Sequence, residues 1–126
     1  PVRFAAAPRI KGPEVKLRSG RRRGLSALQT NDSISAAAQV RVKELSALFD
    51  HTRPDGTTCF TALDDAGIRY STAGENIAAG YSTPEQVVNG WMNSAGHRAN
   101  ILNADFTTIG GGYDRTGRYW VQLFIG

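Results

Sequence analysis

Apolar residues recur at helical spacing along much of the chain. Ile34, Ala38, Val42, Leu45 and Phe49 fall on one face. The polar cluster Thr30-Asn31-Asp32-Ser33 in front of them is a helix start. The pattern predicts a helix of about four turns that runs to Phe49 or Asp50. Gln39, Arg41, Lys43 and Glu44 lie mostly off its apolar face. Thr57 or Thr58 caps a short second helix through Phe60, Leu63 and Asp64, closed by Gly67. Val87, Val88, Trp91 and Met92 mark a third helix. Thr83 is its N-cap, Pro84 suits its first position, and Gln86 completes a capping box. Asn93-Ser94-Ala95-Gly96 breaks that helix, and a short helical turn follows from His97 to Leu102.

The remaining segments read as turns and strands. Pro54-Asp55-Gly56 is a turn after His51. Ile68 to Ala73 is an extended connection into Gly74-Glu75-Asn76-Ile77. Thr107 to Tyr113 and Tyr119 to Ile125 are two strands of a hairpin, joined by Asp114-Arg115-Thr116-Gly117-Arg118. Gly110-Gly111-Gly112 lacks side chains within the first strand, which predicts a bulge or the close approach of another backbone. Residues 1–24 contain three prolines and three glycines and are read as mostly extended. A short helix fits near Glu14 to Arg18, and Gly20 and Gly24 limit it.

At 126 residues the chain is expected to form one domain with its own core. Cys59 is the only cysteine, so neither an intrachain disulfide nor a cysteine-rich metal site is available. No apolar run approaches the roughly 18 residues of a membrane span. A start at Pro1 instead of Met is what a processed or trimmed product has, and any signal peptide would already be gone from it.

The net charge of +4 is unevenly distributed. Residues 1–24 hold eight basic residues and one acid, for +7; residues 25–126 hold seven basic and ten acidic residues, for −3. The chain therefore divides into a basic N-terminal arm, or altered first helix, over 1–24 and a domain over 25–126. Arg21-Arg22-Arg23 is suited to an anionic cell-surface polymer, and its plain reading is a solvated arm. No aromatic residue interleaves with these arginines, which argues against nucleic acid as the partner.

Five ordered motifs carry a resemblance. H-T-R-P-D-G-T is followed by G-E-N-I-A, W-M-N-S-A-G-H-R-A-N-I-L, I-G-G-G-Y and Y-W-V-Q-L-F, over residues 51–124. The chain resembles the CAP superfamily (cysteine-rich secretory proteins, antigen 5, pathogenesis-related 1) in its bacterial, disulfide-free form, from about Leu25 to Phe124. The resemblance implies an α+β fold, a three-layer α-β-α sandwich with a small antiparallel sheet between helices. It also implies a secreted or cell-envelope location. Family members usually carry a helix before the G-L-S-A-L stretch; here Lys16 to Arg23, with weak helical periodicity, takes that place.

The family has a cavity with two histidines and two acidic residues. His51 matches the first histidine, Glu75 the glutamate of G-E-N, and His97 the second histidine. The second glutamate usually stands three residues after the helix tryptophan; here that position is Ser94. Many members bind a divalent metal, often zinc, through the two histidines. The resemblance thus implies a cavity of His51, Glu75, Ser94 and His97, with His51 and His97 as ligands.

Two neutral imidazoles and a water suit zinc, and Glu75 then serves as a base or orients a histidine. The plain reading of the same residues is a hydrogen-bonded cluster that ties loops together. The leading expectation is a secreted binding module with a cation cavity and a groove for a lipid, glycan or protein partner. Tyr81, Tyr113 and Trp120 are candidates to line that groove. The alternatives are a metal-dependent hydrolase with Glu75 as base, or a spacer in the envelope. A Ser94–His97 nucleophile–base pair is weaker, because no third orienting group is identifiable and a helix-end serine is usually a cap.

Overall fold

One strand buried along its whole length divides the molecule into two faces. It is the G-E-N-I-A-A segment with Ala73 before it. The computed structural model describes residues 3–4, 25 and 27–126. The elements, in order, are β1 (Arg3–Phe4), α1 (Asp32–Glu44), α2 (Thr61–Asp65), β2 (Ala73–Ala79), α3 (Pro84–Met92), α4 (Ala95–Ile101), β3 (Thr108–Asp114) and β4 (Tyr119–Ile125). The strands form one antiparallel sheet in the order β1-β2-β4-β3. The predicted helix near Glu14 to Arg18 and the arginine run lie outside the described residues.

Alternate residues of β2 and β4 face opposite ways, and each face meets its own helices. Ala73, Ile77, Val121, Leu123 and Ile125 pack with Ile34, Val42 and Leu45 of the α1 layer and with Leu63 of α2. Ala78 and Trp120 pack on the other face against Val87 and Trp91 of α3. The architecture is the expected α+β, α-β-α sandwich.

The local chemistry accounts for most boundaries. Asn31 caps α1, its Oδ1 accepting the Ile34 amide at 3.0 Å. Thr83 caps α3 by accepting the Gln86 amide at 3.2 Å, and the Gln86 side chain reaches back to the Ser82 amide at 3.2 Å. Gly67, at φ 72°, ends α2 with paired bonds from its own amide to the Asp64 carbonyl and from the Ile68 amide to the Leu63 carbonyl.

Several elements depart from the pattern reading. Helix α1 stops at Glu44, not Phe49 or Asp50, because the chain beyond it turns back to bring Asp50 and His51 toward β2. Helix α2 begins at Thr61 with no side-chain cap; the Thr61 hydroxyl bonds the Thr58 carbonyl instead. Of the connection read over Ile68 to Ala73 only Ala73 is in a strand; the Gly74-Glu75-Asn76-Ile77 stretch it leads into, for which the pattern predicts no strand, lies in the central strand β2 (Ala73–Ala79). Its burial on both faces removes the alternation by which strands are recognised. Helix α4 already starts at Ala95, so the break after α3 is shorter than expected. On α3, Val87 and Trp91 are buried, whereas Val88 is exposed.

The triple glycine is explained by close approach. A Cβ on Gly110 would lie 2.4 Å from the Ile34 carbonyl oxygen, and one on Gly112 would lie 2.5 Å from that of Ala38; Gly111 meets nothing within 4 Å. Helix α1 therefore rests on the bare backbone of β3. Gly112→Ala is expected to destabilise the domain by about 1–3 kcal/mol in chemical denaturation. Gly111→Ala should stay within about 0.5 kcal/mol of wild type. Equal effects at the two positions would contradict this packing.

Candidate functional site

Glu75 leaves β2 on the α1 face and is fully buried. Arg41, also fully buried, donates to it twice, from Nε to Oε2 at 2.8 Å and from Nη2 to Oε1 at 3.1 Å. His51 Nδ1 is 2.7 Å from the same Oε1. The remaining Arg41 donors reach Glu44 Oε1 at 2.9 Å and the Asp50 carbonyl at 2.8 Å. One guanidinium thus links α1, β2 and the loop that carries His51. Arg53 extends the network, pairing with Glu44 at 2.8 Å and with Asp65 at 3.0 Å.

The charges settle accordingly. Burial is the largest influence on Arg41 and lowers its value, but the hydrogen bonds and charges of Glu75 and Glu44 together outweigh it and leave the value raised. Burial alone would raise Glu44, but hydrogen bonds from Arg53 and Arg41 hold it below the usual carboxylate range. A carboxylate that already accepts two guanidinium bonds is an acceptor, so His51 donates through Nδ1–H. That choice of tautomer leaves Nε2 as the basic nitrogen of the neutral ring. His51 Nε2 is buried and has no hydrogen-bond partner.

Cys59 joins this region. It is buried in the core, and burial, helped by the Glu75 charge, pushes its thiol up so that it stays protonated. Donor atoms of His51, Cys59 and Glu75 lie within 4.8 Å of one another. The burial of Cys59 suits a small hydrophobe, and sequence reasoning, which counts it only as the lone cysteine, does not anticipate its place beside His51 and Glu75.

His97 is positioned separately. Asn76 follows Glu75 in β2, so its side chain leaves on the opposite face, where it donates to the His97 carbonyl at 3.2 Å. Asn100 donates to Asn76 Oδ1 at 2.9 Å and lies near the Glu75 carbonyl at 3.3 Å. Asn76 therefore fastens α4 to the sheet. His97 is buried, and its Nδ1 is 2.8 Å from Ser94 Oγ. Ser94 occupies the N-cap position of α4 without a side-chain cap bond, its hydroxyl being engaged by His97. The two histidines thus have parallel arrangements, each with Nδ1 against a side-chain oxygen, Glu75 for one and Ser94 for the other. His97 does not belong to the close group of His51, Cys59 and Glu75.

The sequence model of the Cysteine-rich secretory protein family matches residues 9–124. The chain belongs to the cysteine-rich secretory protein (CAP) family. Among its relatives is the uncharacterized protein YkwD of Bacillus subtilis (strain 168), 47% identical over 107 residues, which are 83% of this chain and 42% of that protein. Similar in structure is an extracellular protein containing a SCP domain from Bacillus anthracis str. Ames. It has a TM-score of 0.76 and 34% identity over 83% of this chain and 35% of that one. An outer surface protein of Borrelia burgdorferi has a TM-score of 0.72 and 25% identity, over 83% of this chain and 81% of that one. The chain spans less than half the length of the two Bacillus relatives.

The CAP domain also has an apolar hollow of about 240 Å³ between α3 and the β3–β4 hairpin. Val88, Trp91, Gly111, Tyr113 and Trp120 line it. Tyr113 stacks on Trp120 with ring centroids 4.1 Å apart, and the Trp120 indole donates to the Tyr81 carbonyl at 2.9 Å. Tyr113 and Trp120 thus line a hollow as anticipated, while Tyr81 supports it from the packed side.

Sequence reasoning misses Arg41, which it places mostly off the apolar face of α1. The signal is present in the spacing: Ile34, Ala38, Arg41 and Leu45 follow one another at helical intervals on the buried face. Removing this arginine strands a buried charge. Arg41→Met is expected to cost about 3–5 kcal/mol of stability, and pairing it with Glu75→Gln should recover part of that loss. A single-mutant cost below about 1 kcal/mol would contradict the assignment, since that is the scale of an exposed pair.

Glu44 gives a pH dependence. Because its folded value is depressed, its contribution is complete above its ordinary value and is lost as pH falls through the lower folded one. Glu44→Gln should therefore flatten the loss of stability below about pH 4. An unchanged acid limb in urea titrations would exclude Glu44 as its source.

Proposed function

We propose that this chain is the binding module of a secreted or cell-envelope protein, with a histidine cavity for a divalent cation and an aromatic groove for a macromolecular partner. The observation that carries this reading is the state of Glu75. Both of its oxygens are taken by Arg41 and His51, so it orients a histidine and is not held as a free base. Ser94, which bonds His97, stands at the position where the family resemblance implies a second glutamate. Binding is favoured over hydrolysis on these grounds. The extracellular and outer-surface relatives support the location, and no described helix is long and apolar enough to cross a membrane.

The donor chemistry fits a cation in one specific respect. His51 presents a buried, unpartnered Nε2 whose ring is fixed by a carboxylate at Nδ1, the arrangement of a metal-ligating histidine. His51 and His97 would be the ligands, and zinc suits imidazole donors. A bound cation would supply a fixed positive charge to the cavity. Calorimetric titration with zinc should give binding to wild type that is lost in His51→Ala. A flat titration of wild type would overturn the cation assignment. Zinc-loaded protein is expected to give no turnover on an ester and peptide panel; turnover abolished by His51→Ala would favour the hydrolase.

A further inference from the structure

The outer edge of β3 combines unpaired backbone with an apolar hollow. Thr72 and Gly126 exchange both of their backbone bonds, which fixes the alternation of the β2–β4 ladder. Even-numbered residues of β4 therefore pair with β2, and odd-numbered ones with β3. By the β3–β4 register, Thr108, Gly110, Gly112 and Asp114 face β4, while Ile109, Gly111 and Tyr113 turn their amides and carbonyls outward.

Both ends of this edge are covered from within the chain. The Ile109 amide donates to the Gln29 carbonyl at 2.8 Å, and the Gln29 amide to the Thr107 carbonyl at 2.9 Å. At the other end the Gln39 side chain takes both the carbonyl and the amide of Tyr113, at 3.3 and 3.4 Å. Between them, no described group partners the Ile109 carbonyl or the amide and carbonyl of Gly111. Gly111 is exposed, with nothing within 4 Å of where a Cβ would stand. It also lines the hollow beside Val88, Tyr113 and Trp120. Val88 and Tyr113 are two of the large apolar residues left exposed.

We propose that this edge receives an extended peptide segment of a partner protein, adding a short strand at Gly111. The unpaired groups match a peptide backbone: a Gly111 amide to donate, and Ile109 and Gly111 carbonyls to accept. A residue pointing inward from such a strand enters the hollow and meets Val88, Tyr113 and Trp120, so the segment carries a bulky apolar side chain there. Among the described residues, Glu85 is the only charged one lining the adjoining hollow formed with Pro84, Val88 and Met92. The segment therefore carries Lys or Arg next to the apolar residue. Flanking by Gln29 and Gln39 limits the slot to a short strand. This inference rests on the reading of the domain as a binding module, but not on its cation.

The test is selection from a phage-displayed library of random peptides on the wild-type chain. Selected sequences should share an apolar residue beside a basic one in an extended stretch. A synthetic peptide of that sequence should lose affinity about tenfold on Gly111→Pro, which removes the outward amide, and also on Val88→Asp. In the wild-type chain, saturating peptide should slow Gly111 amide exchange at least tenfold, a readout that holds even if the proline variant fails to fold. No selected peptide, or unchanged exchange at Gly111, would overturn the proposal. A dimer broken by Gly111→Pro would assign the edge to a second copy and equally overturn it. Binding of phosphatidylglycerol vesicles or peptidoglycan without peptide binding would overturn the peptide while leaving the binding-module reading intact.

Discussion

The pairing of Arg41 with Glu75 is the constraint on which the rest of the structure depends. Two opposite charges are removed from water in the middle of the domain, and each would be costly without the other. The pair sets the end of α1, because the guanidinium also holds the Asp50 carbonyl and so fixes where the chain turns back. It sets the orientation of His51 through the shared Glu75 oxygen. A buried salt bridge of this kind adds little net stability relative to a packed apolar core, but it tolerates few alternative arrangements. Its effect here is to specify the location and orientation of His51.

The same strand performs a second task on its other face. Glu75 and Asn76 are adjacent, so one holds the α1 layer and the other holds α4. The G-E-N motif is thus a two-sided fastener in a strand with no room for water. This accounts for the burial of His97 beside Ser94, and for the parallel between the two histidines. It also separates functions: polar chemistry lies near the centre of the sheet, while the apolar hollow lies toward the β3 edge.

Much of this was legible in the residues. The caps Asn31 and Thr83, the Gly67 stop and the β3–β4 hairpin follow from local side-chain chemistry, which acts over a few residues. The close backbone approach at Gly110 and Gly112 followed from their missing side chains, although their partners Ile34 and Ala38 come from another element. What was not legible depends on tertiary contact. Strand β2 has no alternation because both its faces are buried. Arg41 reads as a residue off the apolar face until Glu75 is placed opposite it. Ser94 reads as a cap because its bond to His97 takes the place of the one it would make to backbone. The unpaired groups at Gly111 become visible only once the register of three strands is known.

The account turns on Glu75 acting as the acceptor that fixes His51. The most direct measurement is the nitrogen chemical shifts of the His51 ring by NMR at a pH where the ring is neutral. The account predicts a proton on Nδ1 and an unprotonated Nε2, with the Nδ1 proton protected and lost from the spectrum in Glu75→Gln. A neutral ring protonated at Nε2 would contradict it, since His51 would then be oriented by something other than the Arg41–Glu75 pair.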